Sequence, residues 1–208
     1  MLKPWPRHWI FDLDGTLTLA VHDFDTLRAR LGLAPGTPIL EGIQGASPDR
    51  QRAMMAVVHA WELEALEEST LAPGVPGLLE RLRDDGADLG IVTRNSHALA
   101  LETLRRVGLD ALFPPAVVVG RDNAEPKPDP AGVQLLLDGW GAAARDAVMV
   151  GNHRIDLDAG LRAGCRAVLV DREGHGKWRD VATVTVARLD ALTGGADEAE
   201  AAPPLSRS

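Results

Sequence analysis

The sequence predicts a doubly wound, mostly parallel α/β sheet with a small helical insert after its first strand. Three observations carry this. Short, near-continuous apolar runs recur at His8–Leu13, Asp88–Thr93 and Ala147–Gly151, with shorter ones at Ala116–Val119 and Ala167–Val170. Unbroken apolarity, rather than alternation, is what strands covered on both faces require. Helical patterns separate the runs and each stops at a glycine: Pro76–Asp85 at Gly86, Ser96–Val107 at Gly108, Pro130–Trp140 at Gly141 and Asp156–Ala163 at Gly164. Glycine suits the left-handed residue that closes many helices. Repeated strand–helix alternation then favours a parallel sheet with helices on both faces.

The alternation breaks once, between Leu19 and Leu71. That segment holds two helical stretches, Asp23–Leu31 and Pro48–Leu66, joined by the Gly- and Pro-rich LGLAPGTPILEGIQG. The expected division is a core of residues 1–18 and 72–193, a helical cap of residues 19–71, and a disordered tail of residues 194–208 with little apolar bulk. Extra helices packed directly on the main domain remain the alternative to a cap.

Bulk properties exclude several classes of function. An apolar content of 45% over 208 residues fits a globular chain. The net charge of −8, with no dense Lys/Arg cluster, argues against a nucleic-acid partner. No apolar run approaches the roughly 20 residues that span a bilayer, and the N-terminus lacks a signal-peptide pattern. A cytoplasmic location and no membrane partner are therefore expected, with oligomeric state left open. Cys165 is the only cysteine, so no internal disulfide forms. Its apolar setting reads as a buried small residue, and no His/Cys cluster has zinc-ligand spacing.

The chemistry concentrates in Phe11–Thr18, FDLDGTLT. Asp12 and Asp14 follow an apolar strand and precede Gly15, which places them at the strand's carboxyl end, where open α/β sheets bind ligands. Taken alone, the pair is equally compatible with Asx-turn or capping duty. Gly15 lets the backbone approach an anion closely.

The motif does not stand alone, and the chain resembles the haloacid dehalogenase-like hydrolases, in the subfamily with a small helical cap that contains phosphoglycolate phosphatase. FDLDGT resembles the nucleophile loop; Thr93, followed by Arg94 and Asn95, the second motif; Lys127 in EPKPDP the third; and VGNHRIDLDAG the acidic fourth. The resemblance implies Asp12 as nucleophile and metal ligand, and Asp14 as acid/base, with its backbone carbonyl a second ligand. It implies Thr93 as a hydroxyl donor to the phosphoryl group and Lys127 as a fixed cation. Gly15, Arg94 and Asn95 are the expected substrate contacts. Mg²⁺ is the implied cofactor, because it would remove the repulsion between a carboxylate and a phosphate dianion. Asn152 and Asp156 complete the implied metal set. Asn152 stands where the family commonly has Asp, which removes one negative charge beside the metal, and Asp156 stands where the second acidic residue holds a metal-bound water.

The implied reaction is hydrolysis of a small phosphorylated metabolite through an aspartyl-phosphate, with phosphoglycolate the first guess. A broad-range sugar-phosphate or nucleotide phosphatase is the second reading, and a catalytically impaired phosphoryl-binding protein, motivated by Asn152, the third. Among remaining candidates, Arg94 has the best claim to a substrate anion, since Arg recognises carboxylate and phosphate bidentately. His22, Arg50 and Arg52 read equally well as solvated helix-face residues. His59, His97 and His175 read as surface or packing residues, His153 as a loop hydrogen-bonder, and Asp158 as solvent-facing or a partner of the helix dipole. Trp61 and Trp140 are expected to fill packing interfaces.

Overall fold

The computed structural model describes residues 6–19 and 23–193. The sheet has six parallel strands in the order β3-β2-β1-β4-β5-β6. They are β1 (His8–Phe11), β2 (Asp88–Val92), β3 (Val118–Val119), β4 (Ala147–Gly151), β5 (Arg166–Val170) and β6 (Val184–Val186). The order reverses at β1, which lies between β2 and β4, with Phe11 flanked by Ile91 and Val150. A reversal of this kind opens a crevice at the carboxyl ends of the central strands.

Alternating side chains of β1 serve opposite layers, as the pleat requires. Trp9 and Phe11 join Leu78, Leu82, Leu104 and Phe113 on one face, beneath α4 (Val75–Asp84) and α5 (His97–Arg106). Ile10 joins Val133, Leu136 and Met149 on the other, beneath α6 (Ala131–Trp140) and α7 (Arg154–Arg162). The glycines read as helix stops lie within two residues of these helix ends, all at positive φ between 61 and 88°.

Between β1 and α4 the chain forms α1 (Phe24–Leu31), α2 (Ile39–Gln44) and α3 (Pro48–Glu68). These helices share an apolar cluster of Leu27, Leu31, Ile43, Met54, Val58 and Trp61. Asp23 caps α1, accepting from the N–H groups of Asp25 and Thr26 at 3.1 Å. Entry and exit run side by side: Leu19 N–H donates to Thr70 O at 3.0 Å and Ala72 N–H to Leu17 O at 2.9 Å.

Two elements correct the sequence reading. α2 lies inside the segment read as a Gly- and Pro-rich connection. It is six residues long and carries Gly42 at its centre, where a Cβ would come within 2.9 Å of Leu33, so packing demanded the residue that reads as a helix breaker. β6 was not expected, because three residues at a sheet edge carry little apolar signal. His22 and the tail of residues 194–208 lie outside the described residues.

Gly160 is where α7 presses on β4: a Cβ there would sit 2.4 Å from Met149 Cβ. Gly160→Ala therefore gains helix propensity but overpacks the interface. It should lower unfolding free energy by roughly 1–3 kcal/mol, read as a fall in the urea midpoint at unchanged slope.

Candidate active site

The site forms where β1, β2 and β4 end. Asp12 N–H still donates to Val150 O at 2.9 Å, after which the chain makes a wide turn closed by Thr18 N–H to Leu13 O at 3.0 Å. Gly15 sits in that turn at φ 79°, and a Cβ on it would lie 2.4 Å from Asn152 Nδ2. Both the backbone conformation and the close approach require glycine. Thr16 Oγ1 lies 3.2 Å from Asp12 Oδ2 and 3.3 Å from Asn152 Oδ1, so its hydroxyl sits between the chain ends that leave β1 and β4.

Lys127 is the link between the loops. It lies between Pro126 and Pro128, ahead of α6, and is 1% exposed. Its Nζ donates to Asp12 Oδ1 at 2.6 Å and pairs with Asp156 Oδ1 at 2.7 Å. Burial alone would lower the ammonium pKa, but Asp12 and then Asp156 outweigh it and hold Lys127 above its ordinary value. For Asp12 the balance falls the other way. Burial, then the Asp156 charge, push its carboxyl up to about 7 against the pull of Lys127. Asp156 also accepts from His153 N–H through Oδ2 at 2.9 Å, closing a capping box at the start of α7. A Cβ on Gly151 would meet Asp156 Cβ at 2.2 Å, so that glycine is what admits the buried carboxylate.

Asp14 is half-buried and held by Asn95, whose Nδ2 donates to Asp14 Oδ2 at 2.7 Å. Thr93, at the end of β2, is buried and accepts from Asn95 N–H at 3.1 Å, leaving its own hydroxyl hydrogen to donate elsewhere. Asp12, Asp14, Thr93, Arg94, Asn95, Lys127, Asn152 and Asp156 all line one cleft of about 370 Å³. Gly15 lies beside it, against Asn152.

The structure adds specifics that alter expectations for two of these residues. Arg94, expected to meet the substrate, donates from Nη2 to both oxygens of Glu41 in α2, at 3.0 and 2.8 Å. Asp156 has one oxygen on Lys127 and the other on a backbone N–H, so here it positions the lysine. Of the weaker candidates, Arg50 and Arg52 are exposed and do not line the cleft. His59 is exposed on α3. His97 Nδ1 lies 3.0 Å from Val118 O, and exposed His175 pairs with Glu173. His153 packs its ring 4.5 Å from that of Trp178, and Asp158 pairs with Arg154. Trp140 stacks on His8 at 5.7 Å. Cys165 is buried, and burial pushes its thiol up to about 11, which keeps it an unreactive thiol at neutral pH.

Two arginines and a glutamate escaped the sequence reading. Arg172 follows β5 and donates to the carbonyls of Gly15 and Thr16, the latter at 2.7 Å, tying down the turn that carries Asp12 and Asp14. Its place directly after a parallel strand, at the sheet's carboxyl edge, was the available signal. Arg121, after β3, pairs with the 5%-exposed Glu62 of α3, Nη2 to Oε2 at 3.1 Å. Glu62 was legible only as a charge beside Trp61 on a helix face.

The donor set suits a hard cation held loosely. Among the described residues no three His, Cys, Asp or Glu side chains group around one point. Asp12 Oδ2 and the neutral Asn152 Oδ1, both within 3.3 Å of the Thr16 hydroxyl, are the side-chain oxygens that would hold the cation. Mg²⁺ tolerates so few protein ligands because it keeps several waters. A cation there would also favour the ionised form of Asp12 that burial disfavours.

Residues 35–170 match the family model of haloacid dehalogenase-like hydrolases. That span contains Thr93, Lys127, Asn152 and Asp156, while Asp12 and Asp14 precede it. The chain belongs to this hydrolase family. It is 31% identical over 172 residues to pyrophosphatase PpaX of Bacillus velezensis, covering 76% of this chain and 79% of that one. It is 29% identical over 181 residues to a haloacid dehalogenase-like hydrolase domain-containing protein of Arabidopsis thaliana, covering 81% and 72%. A hydrolase from Pseudomonas syringae superposes with a TM-score of 0.76 at 20% identity, over 90% of this chain and 96% of that one. CbbY from Rhodobacter sphaeroides, in complex with phosphate, superposes at 0.67 and 20% identity, over 92% and 98%. At these identities the superpositions speak to the fold alone.

The raised Asp12 pKa fixes the sign of a stability effect. Unfolded, Asp12 ionises near 3.8; folded without a cation, it ionises near 7. The folded state therefore binds the extra proton between those values, and stability falls as pH rises through that window. Asp12→Asn should stabilise the cation-free protein at pH 8 by on the order of a few kcal/mol. The gain should vanish by pH 4, as measured by chemical denaturation at both pH values.

Proposed function

We propose that the chain is a Mg²⁺-dependent phosphatase of small phosphate monoesters acting through an aspartyl-phosphate on Asp12. The observation that supports this reading is the convergence of Asp12, Asp14, Thr93 and Lys127, from separate loops, on one cleft. Bound there, Mg²⁺ would screen the phosphoryl oxygens from the nucleophile. Asp12 and the Asn152 amide oxygen are the side chains that would hold it.

The chain's own groups divide the reaction between them. The Asp12 carboxylate attacks phosphorus and its new O–P bond replaces the bond to the leaving oxygen. Asp14, aimed by Asn95, gives its proton to that oxygen as it departs. It then takes a proton from the water that attacks the aspartyl-phosphate, which frees phosphate and restores both carboxyl groups. Lys127 neutralises charge on the phosphoryl group while holding Asp12 in place. Thr93, whose oxygen is oriented by Asn95 N–H, donates its hydroxyl to a phosphoryl oxygen. The helices α1–α3 act as a cap that meets the leaving group and keeps water out.

The name of the relative, pyrophosphatase PpaX, suggests a pyrophosphate substrate, and the sequence resemblance suggests phosphoglycolate. Both carry a second anion, whereas Arg28, Arg94 and Lys127 of the cleft are each paired with a carboxylate. Phosphate release from a panel of monoesters with added Mg²⁺ tests the reading: turnover is expected and should fall at least about 10³-fold in Asp12→Asn. Turnover that survives this change would overturn it. Asn152→Asp adds a carboxylate to the cation site, and the Mg²⁺ concentration for half-maximal rate should fall by about tenfold or more. An unchanged requirement would remove Asn152 from the ligand set.

A further inference from the structure

The cleft has two unlike walls. On the sheet side stand the charged groups described above. On the helical side stand Phe24, Leu27, Ile39, Leu40, Val58 and Trp61. Phe24 is 47% exposed, and its ring lies 5.4 Å from that of Trp61, tilted by 50°. The two rings form an aromatic corner facing the space where a leaving group would lie.

The charges among the described lining residues are all engaged. Arg28 donates from Nε to Thr37 O at 2.9 Å and pairs with Asp25 at 2.7 Å. Arg94 is held by both oxygens of Glu41, and Lys127 by Asp12 and Asp156. Glu62 is matched by Arg121. The His153 ring packs 4.5 Å from that of Trp178, and its Nδ1 accepts from Ile155 N–H at 3.4 Å. A second carboxylate or phosphate on the substrate would lose water and meet apolar carbon, with no unengaged cation among the described lining residues to offset the loss.

We infer that the cleft selects phosphate monoesters of uncharged, apolar alcohols, aromatic ones above all, and rejects substrates with a second anionic group. This rests on the phosphatase reading and names its substrate class. The volume of about 370 Å³ lies near the lower end for ligand pockets, which suits one small ring beside the phosphoryl group. Trp61 and Phe24 set the preference through buried area and ring geometry, and the Glu41–Arg94 pair sets it by withholding a cation.

The test compares benzyl phosphate, phosphoglycolate and acetyl phosphate with Mg²⁺ present. Benzyl phosphate should exceed phosphoglycolate in kcat/KM by roughly 10- to 100-fold. Trp61→Ala should shrink that ratio by about tenfold. Glu41→Gln, a change on the exposed side of α2, should release Arg94 and raise phosphoglycolate relative to benzyl phosphate by about tenfold. Phosphoglycolate turned over as well as or better than benzyl phosphate would overturn the inference, as would a ratio unmoved by both variants. Acetyl phosphate separates the two failures: if it is hydrolysed through Asp12 while the preference is absent, the phosphatase reading stands and this inference falls. If nothing is hydrolysed, calorimetric binding to Asp12→Asn protein still decides. Tighter binding of benzyl phosphate than of phosphoglycolate upholds the cleft's preference, and equal or reversed affinities defeat it.

Discussion

A lysine ammonium buried between two carboxylates joins three stretches of chain that are far apart in sequence. Asp12 leaves β1, Asp156 opens α7 and Lys127 comes from the loop ahead of α6, yet Nζ lies 2.6 and 2.7 Å from its two partners. Removing Lys127 would leave two buried carboxylates facing each other without a counter-charge, which is far costlier than never having buried them. The arrangement is therefore poor economy for stability alone. Burial first, and then the second carboxylate at Asp156, raise the pKa of Asp12 against the pull of Lys127. A site that strains to keep a carboxylate ionised is one in which an incoming cation gains much by binding.

Around this triad the backbone is shaped by close approaches rather than by side-chain bulk. Gly15 yields to the Asn152 amide and Gly151 to the Asp156 side chain, with the distances to an added Cβ as short as 2.4 and 2.2 Å. Arg172 fixes the same turn from the opposite side by capping the carbonyls of Gly15 and Thr16. The turn is thus defined by one contact that excludes a side chain and one that satisfies orphan acceptors. Such over-determination is what holds reacting groups to the fraction of an ångström that catalysis needs.

What could be read from the chain follows from how local each signal is. β1, β4 and α6 announce themselves through contiguous apolar runs and a closing glycine, whereas FDLDGT was readable through its likeness to the family's nucleophile loop, since two carboxylates at a strand's end fit a turn equally well. Lys127 was legible only through the likeness of EPKPDP to the family's third motif. Asn95 was read as a substrate contact, but its bond to Asp14 depends on how β1 and β2 lie side by side, which no spacing encodes. The same holds for Arg172, Arg121 and Glu62, whose partners lie between 59 and 157 residues away. α2 was hidden because Gly42 packs against Leu33, a tertiary demand that overrides local propensity.

The helical insert and the sheet meet the cleft with opposite chemistry, and the ion pairs between them explain how both survive in one space. Glu41–Arg94 and Glu62–Arg121 both link the insert to loops that follow β2 and β3. Each consumes a charge that would otherwise face the apolar wall, and each fixes the insert over the Asp12 loop. The second pair is nearly buried, with side chains 11% and 5% exposed, so it is screened by salt far less than a surface pair. Moving the insert away would return both partners to water, a change that carries little net penalty because desolvation offsets most of the Coulomb attraction. The contact therefore supplies register rather than tight closure.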